Sequence, residues 1–393
     1  MATAAGVGTS HHRDPRVAGR QAAERALAEA GIDRPDFVFM GATAGYEQSA
    51  VVRAVREACG NAPLTGCSVE GTLGDGEPDE SGFSVTVLTL RSQEVSFSHG
   101  LAQGLQKDSY AAGSGIGHMI GSRLSAARML FLFPDGLTAN NDRLLRGLEE
   151  ALPGDWSLPV VGGAAGDSHQ YARTYQYCDD SVVSDGAAWA LLAGEVGVLW
   201  GVNHGCVPIG VEHTVTRAEG NTIYEIDGRP VVDVFQEYLT SEEMEDWLTA
   251  IVSLPFGFEA PSGMDGYDRY LVRVVLSRDE TKGSVTVPTE VEPGTQVRIM
   301  RRDYDKVIAG VDGLAAQLSE RLGGRTPGVI FQFECAGRGK AFLRKEPQHR
   351  LLQRLQVQLP VAPWFGLYTY GELGPVGGRN YFHNYTVVLA ALC

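Results

Sequence analysis

Short apolar runs alternate along this chain with stretches of helical periodicity. The runs Phe37 to Met40, Met129 to Phe133 and Val329 to Phe333 are followed by amphipathic stretches around Val51 to Ala58, Asp142 to Leu152 and His349 to Leu359. Apolar runs of strand length beside a 3.6-residue period predict strand-helix-strand. Each pair then meets a Pro-x-x-Gly segment. A-P-L-T-G-C-S-V-E-G-T-L-G, Ala62 to Gly74, returns near the C-terminus as A-P-W-F-G-L-Y-T-Y-G-E-L-G, Ala362 to Gly374, with Ala, Pro, three Gly and Leu in register. A looser copy is L-P-V-V-G-G-A-A-G-D, Leu158 to Asp167, and each unit closes on another apolar run: Phe83 to Leu90, Ala187 to Ala193, Tyr381 to Leu392. The pattern predicts an α/β protein of two intimately packed domains, built from repeated β-α-β-β units with mixed sheets. Ligands in open α/β sheets bind at the carboxyl ends of strands, where these Gly-rich turns would lie.

The intervening segments carry weaker signals. Asp14-Pro15 reads as an N-cap with proline at the first helical position, opening a helix that stops at Gly31, with a strand ending at Gly8 to Ser10 before it. The polar stretch Gln103 to Gly121 is expected to separate the first unit from the second, and Val196 to Gly201 to continue as a strand. Asn203 to Pro230 alternates and then turns at Asp227-Gly228, as a hairpin does. An acidic helical piece, Ser241 to Leu248, leads into a Pro/Gly-rich link, Pro255 to Gly266, which places the domain boundary between 1–255 and 256–393. Beyond it Tyr270 to Leu276, Ser284 to Val287 and Gln296 to Met300 are strand-like, and Tyr304 to Arg321 is helical.

Composition narrows the partners. With 33 basic against 48 acidic residues the net charge is −15, without a basic cluster. Phosphate backbones and anionic membranes are poor matches for such a surface. No apolar run reaches the ~20 residues of a membrane span, and Met1 to Arg13 lacks the apolar core of a signal peptide, so a cytoplasmic location is expected. Six cysteines without C-x-x-C spacing point to reduced thiols.

A succession of motifs makes the chain specific. G-C-S-V-E-G (Gly66 to Gly71), F-P-D-G-L (Phe133 to Leu137), V-G-G-A-A-G-D (Val161 to Asp167) and H-G-C-V-P-I-G (His204 to Gly210) occur in the first half. V-T-R-A-E-G-N-T-I-Y-E-I-D-G-R-P (Val215 to Pro230), F-E-C-A-G-R-G (Phe333 to Gly339), G-L-Y-T-Y-G-E-L-G (Gly366 to Gly374) and F-H-N-Y-T (Phe382 to Thr386) follow. In this order, over nearly the whole chain, they resemble the FIST family, with an N-terminal and a C-terminal FIST domain. The resemblance implies a sensory module for a small ligand, such as an amino acid or related metabolite. Some bacterial members are haem-binding nitric oxide sensors. No kinase, cyclase or receptor segment is present, so the expected output runs through a separate signalling protein.

Several residues could carry the chemistry. Cys67 and Ser68 follow Gly66 at a strand end, where a thiol could pack, touch a ligand or act as a nucleophile. Cys335 has Arg338 three residues on in a glycine-flanked turn, and a guanidinium lowers a thiol's pKa. Arg338 is the expected anchor for a carboxylate or phosphate, the alternative being an ion pair with a carboxylate such as Glu372. Gly163, Asp135, Asp167 and Glu372 sit in Gly-rich turns after apolar strands; Asp135 suits a helix cap, Glu372 a ligand. His383 and Asn384 precede the closing strand, the histidine either satisfied in the core or facing a ligand. Haem is open as a cofactor, with His204, His213 and His383 as axial candidates; covalent haem and zinc lack their spacings. G-S-G-I-G, Gly113 to Gly117, has no preceding strand and is not a phosphate loop. Two function classes follow. One is a ligand-binding sensor with a cleft between the domains bordered by Cys67, Gly163, Cys335, Glu372 and His383. The other is an enzyme with Cys67 or Cys335 as nucleophile and His383 as base.

Overall fold

Each Pro-x-x-Gly strand lies parallel to the strand that opens its unit. In the computed structural model, which describes residues 3–74, 76–154, 158–245, 253–260, 269–340, 342–343 and 345–393, Phe37–Thr43 pairs with Leu64–Val69, Ala127–Pro134 with Val160–Gly163, and Val329–Cys335 with Trp364–Thr369. The motif glycine explains itself there. Gly66 faces Met40, and a Cβ on it would stand 1.9 Å from the Met40 carbonyl oxygen; Gly162 meets the Leu132 carbonyl at 2.0 Å.

The units are larger than expected. Each begins with a further strand and helix, and three sheets share one order: entry strand, closing strand, first and second parallel strands. The entry strands are Thr3–Ser10, Val95–Gln103 and Val198–Asn203, and the helices after them Pro15–Ala30, Leu105–Gly121 and Tyr304–Leu322. Asp14 caps the first through the N–H groups of Arg16 and Val17, and Gly31 ends it at φ 65°. The polar stretch Gln103 to Gly121 is therefore not a separator. Its glycines let the helix touch its neighbour Asn141–Glu150: a Cβ on Gly113 would lie 2.0 Å from the Leu144 carbonyl oxygen. Small residues at a helix contact look polar in sequence although they are packed.

Two other expectations change. The run Tyr381 to Leu392 is not one strand. It breaks at Asn384 to Thr386, with Tyr385 at φ 58°, into Arg379–His383 and Val387–Leu392, which belong to different sheets. Phe256–Glu259, read as part of a linker, is a strand between Gln296–Arg302 and Tyr270–Arg273. Of the acidic helical piece, Ser241–Glu245 is helical, while 246–248 lie outside the described residues, as does most of the rest of the link, 261–266.

After each second parallel strand the chain crosses to another unit. Gly71–Thr72 pairs with Trp364–Thr369, Glu372–Val376 with Val160–Gly163, and Gln176–Cys178 with Leu64–Val69. The exchange closes in a ring, so strands from both ends of the chain share sheets. Inside it, Phe39, Phe131 and Phe331 occupy equivalent register positions, opposite Leu88, Ala190 and Ala390 on the closing strands. Their rings meet pairwise with centroids 5.0, 5.2 and 4.6 Å apart, all fully buried. A fourth, antiparallel sheet is inserted in the third unit, from Cys206–Glu219 to Gln296–Arg302, between the entry strand and its helix. Among the described residues no helix is long and apolar enough to cross a membrane.

Candidate functional site

A cleft of about 500 Å³ opens between the inserted sheet and the carboxyl ends of the core strands. Its core side is the turn Gly136 to Asn141 after the second unit's first strand, Cys335 to Gly337 after the third's, Thr369 and Tyr370, and Phe382 with Asn384 and Tyr385. The opposite side is Asn221, Val274 to Leu276 and Pro288 of the insert. Polar ties clamp the two sides together. Buried Arg273 donates Nη1 to the Phe382 carbonyl at 2.7 Å, and Asn384 Oδ1 accepts from the Val274 N–H at 3.2 Å.

The lining is aromatic and amide-rich. Tyr171 and Tyr370 stack at 5.5 Å and 17°, beside Phe382 and Tyr385, with the polar groups of Thr138, Thr369, Asn141, Asn221 and Asn384. Among the described residues, no Lys, Arg, Asp or Glu lines the cleft. Asn141 is 3% exposed, and its Oδ1 has no hydrogen-bond partner. The loop that presents Tyr171 is fixed by Asp167, whose carboxylate accepts the N–H groups of Tyr171, Ala172 and Arg173 and the Tyr370 hydroxyl at 2.7–3.0 Å. Against burial, these bonds hold Asp167 below the usual carboxylate range. Ser168, His169 and Tyr171 all adopt positive φ, 60°, 55° and 50°, so the loop is held in a conformation that costs such residues free energy.

Of the residues singled out from sequence, Cys335 and Asn384 line this cleft. Cys67 lies in the core with no exposure, and Ser68 spends its hydroxyl on the Gly166 carbonyl and the Tyr175 N–H. Gly163 is packed under Thr369, whose Cγ2 would stand 2.5 Å from a Cβ there. Asp135 holds its own turn through the N–H groups of Leu137, Thr138 and Asp185. Glu372 is fully buried, receiving the hydroxyls of Thr369 at 2.9 Å and Thr386 at 2.6 Å, and burial pushes its carboxyl well up, toward the neutral form. Arg338, 1% exposed, donates Nε to Glu334 at 2.6 Å and Nη1 to the His204 carbonyl at 3.4 Å, while Nη2 has no hydrogen-bond partner. It pairs with Glu334, not Glu372, and is absent from the cleft lining, so no anion anchor stands there. Burial also pushes the thiols of Cys67 and Cys335 up, away from the nucleophilic thiolate.

The haem candidates do not meet an open pocket. His204 and His383 have no exposure; His204 Nδ1 accepts from the Cys206 N–H at 3.0 Å and His383 Nε2 donates to the Gly374 carbonyl at 3.0 Å. His213 is held between Asp227 and Tyr238, both at 2.7 Å, and none of the three lines the cleft. These residues do not fit an axial role.

Burial, with Arg273 and His204 nearby, lowers His383 to about 3. Its imidazole therefore takes a proton more readily in the unfolded chain, at about 6.5. The stability it supports is complete above about pH 6.5 and falls as the pH drops toward 3, by about 1.4 kcal/mol per unit. Glu372 acts in the opposite direction, its contribution weakening as pH rises. Comparison with His383→Gln separates the two. From pH 7 to 4.5 the native protein should lose about 2–3 kcal/mol more than the variant in denaturant unfolding. Equal losses would show that His383 titrates normally.

Residues missed from sequence include Asn141, Tyr171, Tyr370, Glu70 and His169. Glu70 stands inside the motif G-C-S-V-E-G and His169 directly after V-G-G-A-A-G-D-S. For Glu70, a carboxylate directly after an apolar strand and before a glycine is the available signal.

Residues 36–229 match the FIST N domain and residues 232–375 the FIST C domain, and the chain belongs to the FIST family. It is 28% identical over 393 residues to an uncharacterised protein of Mycobacterium bovis, covering 98% of this chain and 97% of that one. An uncharacterised protein of Mycobacterium tuberculosis is 28% identical over 395 residues, with 98% of both chains covered. Among solved structures, cyanuric acid hydrolase from A. caulinodans aligns over 100% of this chain and 99% of its own at 9% identity and TM-score 0.37. A chorismatase aligns over the same shares at 10% identity and TM-score 0.37.

Proposed function

We propose that this chain is a cytoplasmic sensor that binds a small, uncharged, planar polar molecule in the cleft between the inserted sheet and the core, and passes its state to a separate protein. FIST domains are associated with signal transduction and small-ligand sensing. The chemistry of the ligand comes from the lining. Tyr171 and Tyr370 offer ring faces, while the amides and hydroxyls offer hydrogen bonds to the edge of a heterocycle. An anionic ligand loses support because Arg338 is paired with Glu334 below the surface.

The observation that carries the reading is the Asn141 carbonyl oxygen, buried beside the cleft without a donor. An orphaned buried acceptor costs about 1–3 kcal/mol, a cost that a ligand N–H would recover. Asn141→Leu should therefore leave the stability of the free protein within about 1 kcal/mol or raise it, while weakening binding at least about tenfold. Thermal-shift titration with purine and pyrimidine bases and other uncharged lactams checks both halves. A variant that unfolds readily yet binds as the native protein does would make Asn141 a structural residue and remove the main support for the cleft.

A further inference from the structure

We propose that Glu70, Glu80 and His169 form a binding site for one first-row divalent cation of the zinc type, set between the ligand cleft and a neighbouring cavity. One donor atom from each of the three residues lies within 4.8 Å of the other two. Ligands ~2.0–2.2 Å from a shared ion stand at most about 4.4 Å apart, so little closure separates this arrangement from a ligating one.

The hydrogen bonding of the cluster points inward. Glu70 has no exposure, and its Oε1, Glu80 Oε2 and His169 Nε2 are all buried without a hydrogen-bond partner. Glu70 Oε1 and His169 Nε2 face each other at 3.2 Å. Each carboxylate is meanwhile held by its other oxygen. Glu70 Oε2 accepts the His169 N–H at 2.9 Å; Glu80 Oε1 accepts the Lys340 N–H at 2.6 Å and the Gln348 amide at 2.7 Å. His169 Nδ1 lies 3.2 Å from the Tyr171 hydroxyl, a contact of the kind that fixes the tautomer and orientation of a metal-bound imidazole. Three donor atoms are thus oriented by outer contacts and turned toward one another, and His169 Nε2 is free to ligate when the ring proton sits on Nδ1, toward the Tyr171 hydroxyl.

One imidazole nitrogen with two carboxylate oxygens suits zinc, manganese or iron(II) better than calcium. Three protein ligands leave positions for water. His169 lines the ligand cleft and Glu80 a second cavity of about 550 Å³, which provides an entry path. A nearby cation, the exposed Lys340 ammonium, is tied to the Glu80 carbonyl at 2.8 Å and can swing into solvent. The site adjoins the proposed organic ligand's cleft through His169 and Tyr171, but its two carboxylates lie outside the cleft lining.

Calorimetric titration of the chelator-treated full-length protein with Zn²⁺ tests it. One ion per chain is expected, with affinity reduced about 10–100-fold in Glu80→Gln and at least as much in His169→Gln, and increased in Lys340→Ala. Both weakened sites are half-buried, so circular dichroism should show folded variants; Co²⁺ substitution should give a visible spectrum that His169→Gln abolishes. Absence of stoichiometric binding, or equal affinity in the native protein and the folded variants, overturns the site. Binding lost in Cys178→Ser but retained in His169→Gln would place the ion instead at His99, Cys178 and Asp179, whose donors also cluster, and would overturn it equally.

Discussion

Replacing Arg338 by alanine should destabilise the protein by roughly 3–5 kcal/mol, because Glu334 would then be a buried carboxylate without its cation. The side chain is 1% exposed, so water cannot substitute for the lost guanidinium. Removing both partners is milder than removing one, and the double variant Arg338→Met with Glu334→Gln should recover much of the loss. Denaturant unfolding of the two variants measures both quantities. A loss below about 1 kcal/mol in Arg338→Ala, together with abolished ligand binding, would return Arg338 to the role of anion anchor that its Gly-flanked turn suggested.

Phe331→Ala should cost a similar roughly 3–5 kcal/mol. Its ring touches both Phe39 and Phe131 where the three sheets meet, and no water reaches the junction. The three phenylalanines hold equivalent register positions, so Phe39→Ala and Phe131→Ala should be comparable. Pairs of these substitutions should be coupled by about 0.5–1.5 kcal/mol, the worth of an aromatic contact beyond its buried area. Additive losses in a double-mutant cycle of Phe39 and Phe331 would mean that the rings are packed separately and the junction is not a shared one.

The parts of the fold visible in sequence are those enforced by local sterics. Gly66 and Gly162 recur because a side chain would strike the carbonyl of the adjacent parallel strand, and Asp14-Pro15 opens a helix by capping it. Long-range exchange leaves no such mark. Nothing in Gly71–Thr72, Gln176–Cys178 or Glu372–Val376 says that each joins another unit's sheet. Charge in a Gly-rich turn also misled, since Glu372 and Arg338 resemble ligand contacts until Thr369 and Thr386 are seen to hold the carboxyl and Glu334 to pair the guanidinium. The cleft itself needed the insert. Asn221 and Val274 come from a sheet whose docking on the core could not be read from periodicity, and Asn141 and Tyr370 became site residues only through it.

Native mass spectrometry of the protein as purified, beside Ala139→Trp, tests the cleft most directly. Ala139 is a half-buried lining residue at the edge of a core cluster, and an indole there would fill the space a planar ligand needs. The native protein, after exposure to cell extract, should carry one small neutral adduct per chain, and folded Ala139→Trp should carry none. An adduct retained equally by the variant would place the ligand elsewhere and contradict the cleft as the binding site.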